Sequence, residues 1–92
     1  MLSERIKELR IARGMSQVEI AERLGVSKQS VSNWENDNIL PSIDMLIKIA
    51  HLFSVSTDFL LGEDERQYLE VTDLTQTQMS HIQQVIDDIR NA

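Results

Sequence analysis

A chain of 92 residues and 10.6 kDa has room for one small core, which excludes a multidomain enzyme with a separate cofactor lobe. With 41% apolar and 26% charged residues and no apolar run near the ~18 residues that cross a bilayer, neither disorder nor a membrane span is expected. The net charge of -6 and the pI near 4.7 argue against a partner that is itself a polyanion, unless the charge is unevenly placed.

It is unevenly placed. Residues 1–36 carry six Lys/Arg against five Asp/Glu, residues 1–62 balance at -1, and residues 63–92 hold the remaining -5. Exposed charges farther apart than roughly 8–10 Å are screened at physiological salt, so a remote acidic tail need not cancel a less acidic head. Zero cysteines exclude disulfides and cysteine-ligated zinc. The charged start Met1-Leu2-Ser3-Glu4-Arg5 lacks the apolar stretch of a secretory signal, so a cytoplasmic location is the expectation. Three glycines and one proline leave little material for the turns of a β fold. Leu, Ile, Glu, Arg and Gln favour helix, and the expected class is all-α.

In chain order, Leu2, Ile6 and Leu9 form the stripe of a first helix that Gly14 stops. Ser16-Gln17-Val18-Glu19 fits a capping box and starts a second helix, with Ile20, Ala21 and Leu24 on its buried face and Gly25 at its end. Ser27 caps a third helix from Lys28 to about Asn36, held from behind by Val31 and Trp34. Pro41 and Ser42 open a fourth, striped by Leu46, Ile49, Ala50 and Phe53, in which His51 is expected to lie half-buried beside Phe53. Ser56 caps a last turn carrying Phe59 and Leu60. Five helices thus make a head over residues 1–62, followed by an acidic linker over 63–74. Thr75-Gln76-Thr77-Gln78 then gives a capping signal for a C-terminal helix within 75–92, whose Met79, Ile82, Ile86 and Ile89 form a narrow seam widened by Val85.

Ala21, Gly25 and Val31 are spaced as in a helix-turn-helix: a small residue where two helices touch, a turn glycine and an apolar anchor. Around them, Ile6-Lys7-Glu8-Leu9-Arg10, Gly14-Met15-Ser16-Gln17, Ile20-Ala21-Glu22-Arg23-Leu24-Gly25-Val26-Ser27 and Val31-Ser32-Asn33-Trp34-Glu35 stand in register. So do Pro41-Ser42, Leu46-Ile47-Lys48-Ile49-Ala50 and Ser56-Thr57-Asp58-Phe59-Leu60-Leu61-Gly62. Together these blocks resemble the phage repressor/Cro (xenobiotic-response-element) type of bacterial helix-turn-helix transcriptional regulator, almost without gaps from residue 2 to 62. The resemblance implies a five-helix lambda-repressor-like DNA-binding domain and a regulator, of repressor type, that binds a double-stranded DNA operator.

A recognition helix fits the major groove, ~12 Å wide, and its first turns meet base edges. Lys28, Gln29, Ser32 and Asn33 lie on the outward face of the third helix, opposite Val31 and Trp34. Lys28 can donate to guanine O6 or N7, Gln29 can pair bidentately with adenine, and Ser32 or Asn33 can donate or accept. Gln17 matches the family position that bonds a phosphate and steadies residue 29. Arg10 and Glu35 match an ion pair beside the DNA backbone, with the arginine also facing phosphate. Ser16, Ser27 and Asn36, at helix termini, complete the expected phosphate contacts. One region departs from the family: relatives commonly place Gly and a Lys or Arg after the Glu35 position, whereas Asp37-Asn38-Ile39-Leu40 has no cation. Asp37 and Asn38 tolerate positive φ, so the turn survives and affinity is what suffers.

Regulators of this type bind as two-fold dimers on near-palindromic half-sites ~34 Å apart. Met79, Ile82, Val85, Ile86 and Ile89 are the residues expected to pair with a second copy. Folding of this helix back onto its own head stays open beside that reading. The competing function is a protein-interaction module, an antitoxin or a partner-controlled switch, that uses the same head and takes a protein through the C-terminal helix. Two isolated histidines, His51 and His81, offer no metal-ligand spacing, and no phosphate loop or nucleophile motif occurs. No cofactor, metal, membrane partner or catalysis is expected.

Overall fold

The computed structural model describes all residues, 1–92, and contains six helices and no strand. They are α1 (Leu2–Ala12), α2 (Gln17–Leu24), α3 (Lys28–Glu35), α4 (Ile43–Phe53), α5 (Thr57–Leu61) and α6 (Gln76–Arg90). The all-α class expected from composition is the one found.

Starts of helices follow from single residues. Ser16, Ser27, Ser42, Ser56 and Thr75 are the N-caps of α2 to α6, and each side-chain oxygen accepts from the amide three residues on. Such a cap contributes ~1 kcal/mol by satisfying an amide that has no carbonyl partner within the helix. Around Ser16 and Thr75 the box is complete, because the Glu19 and Gln78 side chains reach back to the cap amides at 3.1 and 3.0 Å. Pro41 precedes the Ser42 cap and keeps the incoming chain extended.

Ends are less uniform. Gly25 closes α2 in the left-handed region, at φ 70°, as the sequence suggested. Ser54 closes α4 in the same region, at φ 54°, without being glycine. A left-handed L-residue costs about 1–2 kcal/mol. Opposing that cost, Arg13 Nη2 donates to the Phe53 carbonyl at 2.7 Å and satisfies an end of α4 that the helix itself leaves open.

The core takes Ile6 from α1, Ile20, Ala21 and Leu24 from α2, Val31 and Trp34 from α3, Ile49, Ala50 and Phe53 from α4 and Leu60 from α5. Every one lies on a stripe read from the sequence, and Trp34 is core rather than a stacking surface. His51 is the exception among the expected inner residues: it is exposed. At 100° per residue it points roughly 150° away from the centre of the Leu46, Ile49, Ala50, Phe53 stripe. α6 supplies no buried residue, and the principal helix contacts all join α1 to α5. The molecule is correspondingly long, 43 × 23 × 22 Å.

Candidate nucleic-acid interface

Gly25, Val26 and Ser27 alone separate α2 from α3. The Val26 amide donates to the Ala21 carbonyl at 2.9 Å, which turns the chain sharply, and the methyl side chain of buried Ala21 lets the helices approach closely. Val31, fully buried, and Trp34 anchor α3 from behind. That anchoring dictates what faces out. Lys28, Gln29 and Asn36 are exposed, while Ser32 and Asn33 are half-buried on the same side.

The amides on this face are not idle. Gln29 Nε2 donates to Asn33 Oδ1 at 3.0 Å, and Asn36 Nδ2 donates to Ser32 Oγ at 3.2 Å, both one turn apart. Each such bond contributes a net ~0.5–1.5 kcal/mol, small enough to be exchanged for a bond to a base edge. They pre-orient side chains of the type that reads adenine bidentately. Ser16 and Ser27 have acceptor roles at their caps, yet a hydroxyl still holds one hydrogen to donate. Ser27 Oγ also lies 3.0 Å from Ser30 Oγ.

Behind this face a charged network joins three helices. Arg10 Nε and Nη2 donate to Glu35 Oε2 and Oε1 at 2.7 and 3.0 Å, a two-pronged pair. Arg10 Nη1 donates to the Met15 carbonyl at 2.9 Å, and Gln17 Nε2 donates to Glu35 Oε1 at 3.1 Å. The Glu35 side chain is 2% exposed and that of Arg10 14%. A carboxylate so buried survives only with full pairing, and no buried side-chain polar atom lacks a partner. The hydrogen bonds that Arg10 donates to Glu35 hold its guanidinium above the ordinary arginine range, with burial opposing them. Of five guanidinium N–H groups, these three bonds leave two for an external anion.

Gln17, which the family resemblance sets beside phosphate and residue 29, is here bonded to Glu35. A buried carboxylate is the stronger acceptor, and it captures the Gln17 amide; Gln29 finds Asn33 instead.

Cations on the head are scarcer than their number suggests. Arg5 is turned towards α5, where it lies over the Phe59 ring and donates to the Phe59 carbonyl, and Arg13 is spent on α4. Neither role has a local signature, since the partners lie 54 and 40 residues away. In the segment after α3, Asp37 takes φ 58°, a left-handed geometry that favours glycine. Beyond it Ile39, Leu40 and Ile43 stand exposed at 58, 70 and 78%.

Along α6, Met79, Ile82 and Ile86 are half-buried, whereas Val85 and Ile89 are open to solvent. The first three share a cleft with Tyr68, Leu69 and Val71, so the seam is partly lined by the preceding segment and not by the head's core. No helix is long and apolar enough to cross a membrane.

Comparison with known proteins agrees with this geometry. A helix-turn-helix family model matches residues 6–60. The chain is 39% identical over 87 residues to the HTH-type transcriptional regulator ImmR of Bacillus subtilis (strain 168), a match that covers 95% of this chain and 68% of ImmR. Among solved structures, the P22 c2 repressor in complex with a synthetic operator superposes with a TM-score of 0.66 at 28% identity, over 70% of this chain and 97% of that one. The SinR protein/SinI protein complex superposes with a TM-score of 0.63 at 25% identity, over 100% of both chains.

Proposed function

Because the chain belongs to the helix-turn-helix family, in the phage-repressor type, we propose that it is a non-enzymatic transcription regulator, a repressor that binds a near-palindromic DNA operator as a dimer. One observation carries this reading: α3 is tethered by Val31 and Trp34 and offers Lys28, Gln29, Ser32 and Asn33 on one uncovered face. In the major groove, Lys28 donates to guanine and Gln29 pairs with adenine after releasing Asn33. Arg10, Ser16, Gln17, Ser27 and Asn36 donate to phosphates on either side and set the register. Arg10 enters this contact already fixed by Glu35, so little side-chain entropy is lost when phosphate arrives.

With a head of net charge -1, general attraction to DNA is weak. Specific bonds and pairing of two heads must supply the affinity. The α6 seam is the natural means, with Val85 and Ile89 exposed and Met79, Ile82 and Ile86 beside them. Selection from random duplexes tests the proposal: a symmetric pair of half-sites is expected, and a dimer that neutralises ~6 phosphates gives a log K against log salt slope near -5. Recovery of no preferred sequence would sink it. The variant Ile82→Asp/Ile86→Asp is expected to sediment as a monomer with its head folded and to bind the selected duplex weakly; an unchanged mass removes the role of α6.

A second reading draws on the full-length likeness to the SinR/SinI complex: α6 takes a protein partner, as an antitoxin or a partner-controlled switch does. It is separated from the first by the same selection, because a module that binds only protein enriches no DNA sequence.

A further inference from the structure

Between α5 and α6 the chain is held at one side chain that belongs to neither. Arg5, on α1, has its guanidinium carbon 4.2 Å from the centroid of the Phe59 ring, donates through Nη1 to the Phe59 carbonyl and donates through Nη2 to Glu65 Oε2 at 2.5 Å. We propose that Arg5 is a positioning residue: by holding Glu65 it fixes the direction in which the chain leaves the head towards α6, and so selects the separation of the two DNA half-sites. This rests on the proposed binding of DNA by a dimer.

Exposed ion pairs are usually weak because two long side chains must be ordered to make them. Here half of that cost is met beforehand. The Arg5 side chain, 17% exposed, is immobilised by the aromatic ring and the carbonyl whether or not Glu65 is present, and Glu65 meets a donor already in place. Its neighbours are also shaped. The Glu63 amide donates to the Asp58 carbonyl at 2.9 Å, and the Asp64 carboxylate accepts from the Arg66 amide, Nε and Nη2 at 2.9, 3.0 and 3.1 Å. The bonds to the Asp64 carboxylate give residues 64–66 a form, and the Asp64 amide reaches the same Asp58 carbonyl at 3.4 Å, so the backbone is tied to the head as far as residue 64. Arg5 carries the attachment one residue further, to Glu65, across 60 residues of sequence.

The segment after Glu65 carries the direction onward. Residues 66–70 run across a cleft of about 410 Å³ from the α4–α5 corner, and Tyr68 and Leu69 also line the cleft that contains Met79, Ile82 and Ile86. A swing at residue 65 is therefore passed to α6. On DNA the consequence is geometric: each added base pair lengthens the separation by ~3.4 Å and turns the second half-site by roughly 35°. A loosely attached tail tolerates several separations, and an attached one discriminates.

The test uses the full chain, with Glu65→Ala as the main variant because it leaves the contacts of Arg5 with Phe59 in place. Duplexes carry the half-site selected by the native chain, singly or as pairs whose separation is stepped by one base pair. The native chain is expected to prefer one separation, and Glu65→Ala to cut that preference about two- to five-fold, the range open to a partly exposed ion pair. Binding to the single half-site and the melting temperature should stay unchanged. Arg5→Gln should flatten the preference equally, and the double variant no further. A measurement independent of DNA accompanies this: the chain has no cysteine, so spin labels on Glu8→Cys and Gln84→Cys, in labelled chain diluted with excess unlabelled chain, report one head-to-tail distance distribution. It should be narrow in the native chain and broad in Glu65→Ala. Equal widths, or an unchanged separation preference, overturn the proposal. A native chain that selects no half-site pair also ends it, but there the dimeric reading fails first, and the narrow-to-broad change shows which of the two was wrong.

Discussion

The first sixty residues and the last helix solve the same problem in opposite ways. Helices α2 to α5 are short, of 5 to 11 residues, and would not persist alone; they persist because each turns a stripe into one shared core. α6 is the longest, at 15 residues, and has a complete capping box and two Gln-to-Asp side-chain bonds one turn apart, yet none of its residues is fully buried. Capping and such pairs add only a few tenths to ~1 kcal/mol each, so local bonds leave a helix of this length marginal. A stable head thus stands beside a helix stabilised mainly by local contacts and by the cleft it shares with Tyr68, Leu69 and Val71.

Core substitution breaks or upholds that contrast most directly. Ile49 is fully buried, and Ile49→Ala should cost about 2–5 kcal/mol, a large part of what a head of this size possesses. Ile86→Ala removes similar atoms from a half-buried seam. At low chain concentration, thermal unfolding should drop sharply for the first and hardly move for the second. Equal drops would mean that head and tail unfold as one unit. At high concentration, a gap that opens between native and Ile86→Ala chains reports pairing through α6.

Next in size is Glu35→Gln. Three donors converge on this carboxylate, and the amide substitutes one donor for an acceptor directly opposite Arg10. A loss of about 2–3 kcal/mol is expected in urea unfolding, because Arg10 is left partly buried without its counter-charge. DNA affinity should fall further than that loss explains, as Arg10 and Gln17 lose their shared anchor. If affinity fell only in step with the unfolded fraction, the network would be structural alone.

Much of the head was legible because its signals are local. Caps act over three residues and stripes over four, so Ser16, Ser27, Ser42, Ser56 and Thr75 mark their helices without knowledge of the rest. The outward face of α3 was legible for the same reason, being what remains once Val31 and Trp34 turn inward. Illegible were contacts between distant residues: Arg13 on Phe53, Arg5 on Phe59 and Glu65, and the capture of Gln17 by Glu35. Each depends on how helices cross, which no spacing encodes. Ser54 fails differently, since serine has no preference that flags a left-handed cap; the cost is opposed by Arg13, just past the end of α1. His51 was misplaced by sequence adjacency, for a neighbour in the chain is not a neighbour on a helix face.

The smallest expected effect contrasts the charges of the two regions. If DNA meets only the head, one cation added there should matter more than two acids removed from the tail. Ile39 is exposed beside the end of α3, where a lysine meets no core, so Ile39→Lys should leave stability within about 0.5 kcal/mol. A dimer then gains one phosphate contact per head, and the log–log salt slope should steepen by ~0.9 for each, about 1.8 in total. Asp87→Asn/Asp88→Asn removes two acids per chain, a larger change of net charge than the single cation of Ile39→Lys, but lies near the end of α6. Screening over roughly 8 Å at physiological salt confines its influence, so affinity measured around that salt should rise only slightly, with no change of slope. Reversal of this order, with the tail variant steepening the slope and Ile39→Lys leaving it flat, would place the acidic helix against the nucleic acid and undo the division of labour between head and tail.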